Sequence, residues 1–429
     1  MSIYHEWGFK QNPFETLALP SNETGVKLLV GRDKEISSLS RRLDSSTKIA
    51  TVEGLNGSGK TSLINVMLYK RFSETAKSNV GPLYIPCDTT FQITPDTKSE
   101  EFRRDVCLSA AQSLIKYHQH LRSKPGFTPP KEPTALKRFL NSAQVKSISA
   151  GIAGLSGGFQ TETNTGFGYE KSGFETAVRD WLNELFPTST SGGVVCTLDN
   201  LELLQTSSNA RKVVEELRDT AFAIQGVRWI LCGSLGIVHG ILGSPRLDGR
   251  LHKPINIADL SDDFAAEIYR SRIKFYRNRT SASLPLKQVH FVELFDIMRG
   301  NIRNVLNEAD EFCMWFSDNC EDIGDVQDGT YFENWLEDEL TNTFVAIQAE
   351  IRPRAMDVFE TACQYEVFSP SDCANFGFKD PGAMRPHIKA LENTGLLRSS
   401  IDDSDKRRKT IQVTSKGWKV RAYLDYFDT

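Results

Sequence analysis

The stretch from Lys48 to Asn65 constrains this chain more than any other. It reads Lys-Ile-Ala-Thr-Val-Glu, then Gly-Leu-Asn-Gly-Ser-Gly-Lys-Thr, then Ser-Leu-Ile-Asn. An apolar β-type run opening into a Gly-rich turn and then an apolar-periodic helix is the context that a phosphate-binding loop needs, and the turn fits G-x-x-x-x-G-K-T from Gly54 to Thr61. Gly54, Gly57 and Gly59 free the backbone to bring its N–H groups against a polyphosphate, with Leu55, Asn56, Ser58 and Ser62 completing the loop and the first helical turn. Lys60 supplies a point charge for the β- and γ-phosphates, and the Thr61 hydroxyl is a hard oxygen ligand for Mg²⁺. The stretch therefore predicts ATP and Mg²⁺ as cofactors.

At 429 residues the chain exceeds one ordinary core, so two or three domains of roughly 100–200 residues each are expected. A 39% apolar, 25% charged composition is that of a globular protein. No run approaches the roughly 18 apolar residues of a membrane span, and the N-terminus lacks the pattern of a signal peptide, so no membrane partner and a cytoplasmic location are expected. The eight cysteines include no C-x-x-C pair, which fits buried free thiols better than zinc or disulfides. A formal charge of -4 excludes wholesale coating of nucleic acid and leaves room for a local basic patch.

Strands alternate with helices after the phosphate loop: Pro82–Asp88 reads as a strand and Glu101–Arg122 as a helix, which predicts a parallel sheet. Residues 145–172 are rich in Gly, Ser and Thr without helical periodicity and read as a β-hairpin insertion. Gly193–Leu198 is a buried-strand pattern ending at Asp199, where a carboxylate would face Thr61 across the metal. Val227–Gly233 is the next strand and ends at Ser234.

In this order the motifs resemble those of AAA+ and STAND ATPases, most closely in pattern the origin-recognition-like ATPases and bacterial STAND-type ATPases. The resemblance covers most of Leu28 to Phe316. It implies that the Gly31-Arg32 turn and the following helix shelter the adenine, that Ser234 is a γ-phosphate sensor, and that Arg246 or Arg250 reaches a neighbouring subunit's nucleotide. Arg303, in the string Gly-Asn-Ile-Arg, resembles the second sensor on the helical lid. The usual AAA+ glutamate after the metal-side aspartate is replaced by Asn200, and the nearest carboxylate is Glu202. An amide cannot accept a proton from water, so either hydrolysis is slow, as in a switch, or Glu202 substitutes as the base.

Asn319–Asp338 reads as a linker or short connecting helix. The tail then runs helix, helix, helix, strand, basic-tipped turn, strand, which predicts a winged helix-turn-helix whose wing resembles that of MarR-type regulators. The exposed side of its third helix offers Arg385, His387, Lys389 and Asn393, and the wing offers Lys406, Arg407, Arg408 and Lys409, for contact with double-stranded DNA. Asp402, Asp403 and Asp405 offset the wing charge.

The expected fold class is thus α/β: a P-loop NTPase, AAA+-like core over residues 1–260, a helical lid and linker over 261–340, and a winged helix over 341–429. Two functions stay open. One is an ATP-controlled homo-oligomer that engages DNA through the winged helix. The other is a STAND-like switch that regulates a separately encoded effector protein, for instance in antiviral defence, without touching DNA.

Overall fold

The seven residues Gly192–Leu198 are all buried, because this strand lies inside a parallel sheet covered on both faces. The computed structural model describes residues 2–45, 48–78, 80–117, 174–204, 207–320, 330–365, 367–402 and 408–427. The sheet comprises β1 (Ala50–Gly54), β2 (Leu83–Phe91), β3 (Gly192–Leu198), β4 (Val227–Gly233) and β5 (Ile255–Ile257), in the spatial order β2-β3-β4-β1-β5 and all parallel. Because β4 lies between β1 and β3, the loops leaving the carboxyl ends of β1 and β3 flank the loop leaving β4, the arrangement in which open α/β sheets bind ligands.

Helices α1 (Ile3–Glu6), α2 (Glu23–Leu28), α3 (Asp33–Ser45), α4 (Lys60–Ser78), α5 (Ser99–Lys116), α6 (Phe174–Leu185), α7 (Ser207–Arg218) and α8 (Ile237–Leu242) precede or alternate with the strands in chain order. One apolar cluster, with Leu39, Leu43, Leu63 and Met67, covers one face, and a larger one with Val106, Val178, Val214 and Trp229 covers the other. Ile36, Leu39 and Leu43 share one face of α3, with Leu39 and Leu43 buried. The expected hairpin at 145–172 and the end of the helix expected to run to Arg122 lie outside the described residues.

The lid helices are α9 (Ala265–Tyr276), α10 (Gln288–Ile297) and α11 (Ile302–Asn319). The aromatic N-terminal segment fills their core: Phe14 stacks on Tyr269 and Phe291, and the Tyr4 hydroxyl donates to Asp310 at 2.5 Å. The segment thereby belongs to the lid's apolar cluster, which sequence order alone does not reveal. Gly300 has φ +73°, and an added Cβ there would meet the Leu260 carbonyl at 2.1 Å, so only glycine lets the lid turn pass against the segment that follows β5.

Residues 321–329 of the expected linker lie outside the described residues, and its remainder begins α12 (Thr330–Gln348), a 19-residue helix that runs through position 340. The winged helix follows with α13 (Pro353–Ala362), a 3₁₀ segment Pro370–Phe376, α14 (Pro381–Asn393), β6 (Leu397–Asp402), β7 (Arg408–Val413) and α15 (Ser415–Phe427). β6 and β7 pair antiparallel from Leu397↔Val413 to Asp402↔Arg408. The second helix expected here is this seven-residue 3₁₀ segment, capped by the Ser369–Asp372 box and ended by Gly377 in the left-handed region. The fold class is α/β, with a parallel sheet, a helical lid and a winged helix-turn-helix, as the sequence predicts.

Candidate nucleotide site

Gly57 and Gly59 sit at φ +88° and +89°, the left-handed region that glycine enters without strain. A Cβ on Gly57 would lie 2.3 Å from Oδ1 of Asn301, so the loop is thin where the lid comes down on it. Lys60 opens α4 and is buried, its Nζ donating to the carbonyls of Gly54 at 3.0 Å and Leu55 at 2.9 Å. Thr61 Oγ1 donates to Asp199 Oδ2 at 2.6 Å, joining the first turn of α4 to the end of β3. Two hard oxygens, from Thr61 and Asp199, thus meet beside an ammonium and a glycine-lined turn of backbone. This donor set fits a triphosphate with a divalent cation, the lysine serving the phosphates and the hydroxyl and carboxylate the ion.

The cavity here has a volume of about 300 Å³. Asn56 to Ser62, Asp199, Asn200, Glu202 and Arg303 line it, so the structure gathers these expected site residues around one space. Asn200 has φ +57°, which asparagine tolerates, and its N–H donates to Asp199 Oδ1 at 2.8 Å. Glu202 accepts from the Ser234 N–H at 3.0 Å. Ser234 itself is not among the lining residues: it stands behind Glu202, with its hydroxyl buried and no partner among the described residues. On the lid, the Arg303 N–H lies 3.4 Å from the Gly57 carbonyl, and Asn301 donates to the Asn56 carbonyl at 2.9 Å.

An apolar wall of Leu17, Leu19, Leu28, Val30, Leu260 and Ile268 faces this polar end and offers a flat base a dry seat. Arg32 is buried and ties the Gly-Arg turn to the loop, its guanidinium donating to the Ser58 carbonyl at 2.9 Å and pairing with Glu35 at 3.3 Å. Burial lowers its pKa, with Glu35 working against the shift. Its place before a helix is the sequence signal for it.

Arg246 and Arg250 are exposed and line no part of this cavity; Arg246 pairs with Asp219 at 3.5 Å and Glu215 at 3.8 Å. Arg385, Lys389 and Asn393 are exposed on α14, while His387 is half-buried against the Phe378 ring at 5.3 Å. Lys406 and Arg407 lie outside the described residues, and Arg408 and Lys409 are described only as backbone in β7.

Two site residues were not singled out from sequence. Glu53, at the end of β1, accepts from the Gly236 N–H in the loop after β4. Burial pushes its carboxyl up to about 7, against the pull of the Gly236 and His239 amides and the Lys60 charge. A lone acid in an apolar strand was the signal available. Arg398 stands on β6 of the winged helix, yet it lines the cavity that holds Lys60, Thr61 and Asp199. It is exposed and has no ion pair among the described residues. Nearby on the second wing strand, Thr410 Oγ1 would lie 3.7 Å from a Cβ on Gly236, so the middle of that strand lies beside the loop after β4.

Among the described residues no helix is long and apolar enough to cross a membrane. No family model and no curated protein matches the sequence. Among solved structures the chain is similar to the Aeropyrum pernix ORC1 protein in complex with DNA, at 13% identity and a TM-score of 0.44, covering 98% of both chains. It is similar to the Aeropyrum pernix ORC2 protein with ADPNP and ADP, at 11% identity and a TM-score of 0.45, covering 98% of this chain and 100% of that one. AMPPCP-bound DnaA from Aquifex aeolicus is similar at 13% identity and a TM-score of 0.37, with 96% of this chain and 98% of that chain covered. Likeness at this level carries no information about what this chain binds.

Proposed function

We propose that the protein is an ATP-binding switch, hydrolysing slowly, whose nucleotide state sets the posture of its winged helix and so its grip on double-stranded DNA. One observation carries this reading: Arg398, on the wing, lines the same cavity as Lys60, Thr61 and Asp199. A cation at that place interacts more strongly with a triphosphate than with a diphosphate, because the added phosphate brings charge. Binding energy that differs between two nucleotides is what allows a ligand to shift a domain's position.

Lys60 holds the phosphates, Thr61 and Asp199 hold Mg²⁺, and Arg303 and Asn301 lay the lid on the loop. Bound Mg²⁺ offsets phosphate charge. Asn200 orients water without taking its proton, and Glu202, held by the Ser234 amide, is the remaining carboxylate for that task. Arg385, Lys389 and Asn393 form the exposed face of α14 and would meet phosphates or base edges.

The test measures affinity for ATP, for ADP and for a duplex oligonucleotide in wild type and Arg398→Ala. The wild type is expected to favour ATP over ADP and to bind duplex differently in the two states. Arg398→Ala is expected to lose about tenfold in ATP affinity with little change for ADP, and to bind duplex equally in both states. A wild type that ignores ATP in a calorimeter sinks the proposal.

A further inference from the structure

A second cavity, of about 750 Å³, lies toward the opposite end of the sheet from the nucleotide loops, around the residues that precede β1 and β5. Arg42 from the end of α3, Lys48 ahead of β1, Arg211 from α7, His239 from α8, and His252 and Lys253 ahead of β5 all line it. Asp248 is the one carboxylate among its described lining residues. In a chain with 51 Lys and Arg against 55 Asp and Glu, four Lys and Arg beside one acid is a marked local inversion of sign.

Three acids in the neighbouring elements have partners of their own. Asp44, two residues beyond Arg42, pairs with Arg71 at 2.6 Å, and Asp219 pairs with Arg218 at 2.7 Å. Glu215 accepts from the Ser244 hydroxyl. Arg211 is fixed in place by its bond to the Gly240 carbonyl at 2.8 Å, while its Nε is buried with no acceptor among the described residues. The walls between the cations include Gly240, Gly243 and Gly249, which leave the floor open to a bulky anion. His252 is held below its usual pKa by burial and by Arg42 and Lys48, which places those three groups close together. Like charges gathered at a concave surface raise the local concentration of anions.

We infer that this cavity is an anion site, separate from the triphosphate site, that takes a phosphate-bearing ligand on Arg42, Lys48, Arg211 and Lys253. The shared chemistry is the phosphate group, whose source is either a small free phosphate or the backbone of nucleic acid. The inference does not depend on the nucleotide reading above.

Calorimetry of the full chain with inorganic tripolyphosphate, and a duplex oligonucleotide titration at several salt concentrations, separate the possibilities. Lys60→Ala, or wild type saturated with ATP, removes the first phosphate site from view. Lys48→Glu/Lys253→Glu alters two exposed side chains and leaves the core intact. If the cavity takes small phosphates, tripolyphosphate still binds once the Lys60 site is removed or filled, and the double variant weakens that binding by about tenfold or more while ATP binding holds. If it takes nucleic acid, the double variant loses duplex affinity, tripolyphosphate competes with duplex, and Lys48→Ala/Lys253→Ala flattens the salt slope by about two. Wild type that binds neither probe outside the Lys60 site, or a double variant that binds both as wild type does, overturns the inference.

Discussion

Glu53 shows how a single buried acid ties the nucleotide loop to the rest of the sheet. It is 5% exposed, and its carboxylate is held by the Gly236 amide at the edge of the loop after β4. Its pKa rises from 4.5 to about 7, because burial outweighs the amides and the Lys60 charge. Between those values the folded protein holds a proton that the unfolded chain has lost, so stability falls as pH rises through this window. Above pH 7 the cost is on the order of 3 kcal/mol. Glu53→Gln keeps an oxygen for the Gly236 amide and removes the charge. It is expected to melt higher than wild type at pH 8 and to converge with it near pH 4.5, as read by thermal unfolding across that range. Identical pH profiles for the two proteins would remove Glu53 from this role.

At the scale of elements, α15 is what anchors the winged helix to the lid. Lys419 reaches Glu308 on α11 at 2.8 Å and Glu339 on α12 at 2.7 Å, Tyr423 stacks on Phe344 of α12 at 4.3 Å, and Trp418 lies under Arg299 at 5.4 Å. Burial raises the Glu308 carboxyl against the opposing Lys419 charge, so losing the lysine leaves a buried acid with no counter-ion. Lys419→Met is expected to cost about 2–4 kcal/mol, and Lys419→Met/Glu308→Leu to recover most of it. Urea unfolding of the two singles and the double measures this, and a double no more stable than Lys419→Met rules the account out. The phosphate loop, Asp199, the parallel strands and the wing hairpin were legible in the sequence, because each is set by local backbone demands, by the continuous apolar run of a strand buried on both faces, or by alternation along a wing strand. The helix Thr330–Gln348 was partly hidden by its acidic surface, although Phe332, Trp335, Leu336, Leu340 and Ile347 keep helical spacing and are buried. The second helix of the winged helix begins at the expected Ser369–Asp372 cap, and the pattern did not show that it is a 3₁₀ segment ended by Gly377.

What local pattern could not contain is the meeting of parts distant in sequence. Arg398 is an unremarkable strand residue until α15 fixes the winged helix on the lid and the lid sits on the phosphate loop through Asn301 and Arg303. The wing, the lid and the loop then form one chain of contacts, and under the proposed function a change in the phosphates at Lys60 would be felt at both ends of it. Coupling of this kind needs a segment with two arrangements that the ligand weighs differently. The segment suited to that role is the β6–β7 hairpin, whose outer register ends at Asp402↔Arg408 and whose second strand lies beside the loop after β4 at Thr410. Backbone amides of β6 and β7 are therefore expected to exchange with solvent at different rates in ATP and in ADP, and this difference is expected to vanish in Arg398→Ala while α4 remains protected by either nucleotide. Hydrogen-exchange mass spectrometry reads the two regions as separate peptides. Protection of α4 by nucleotide with unchanged exchange across 397–413 would leave the protein an ATP binder whose wing does not respond, and would end the case for a switch.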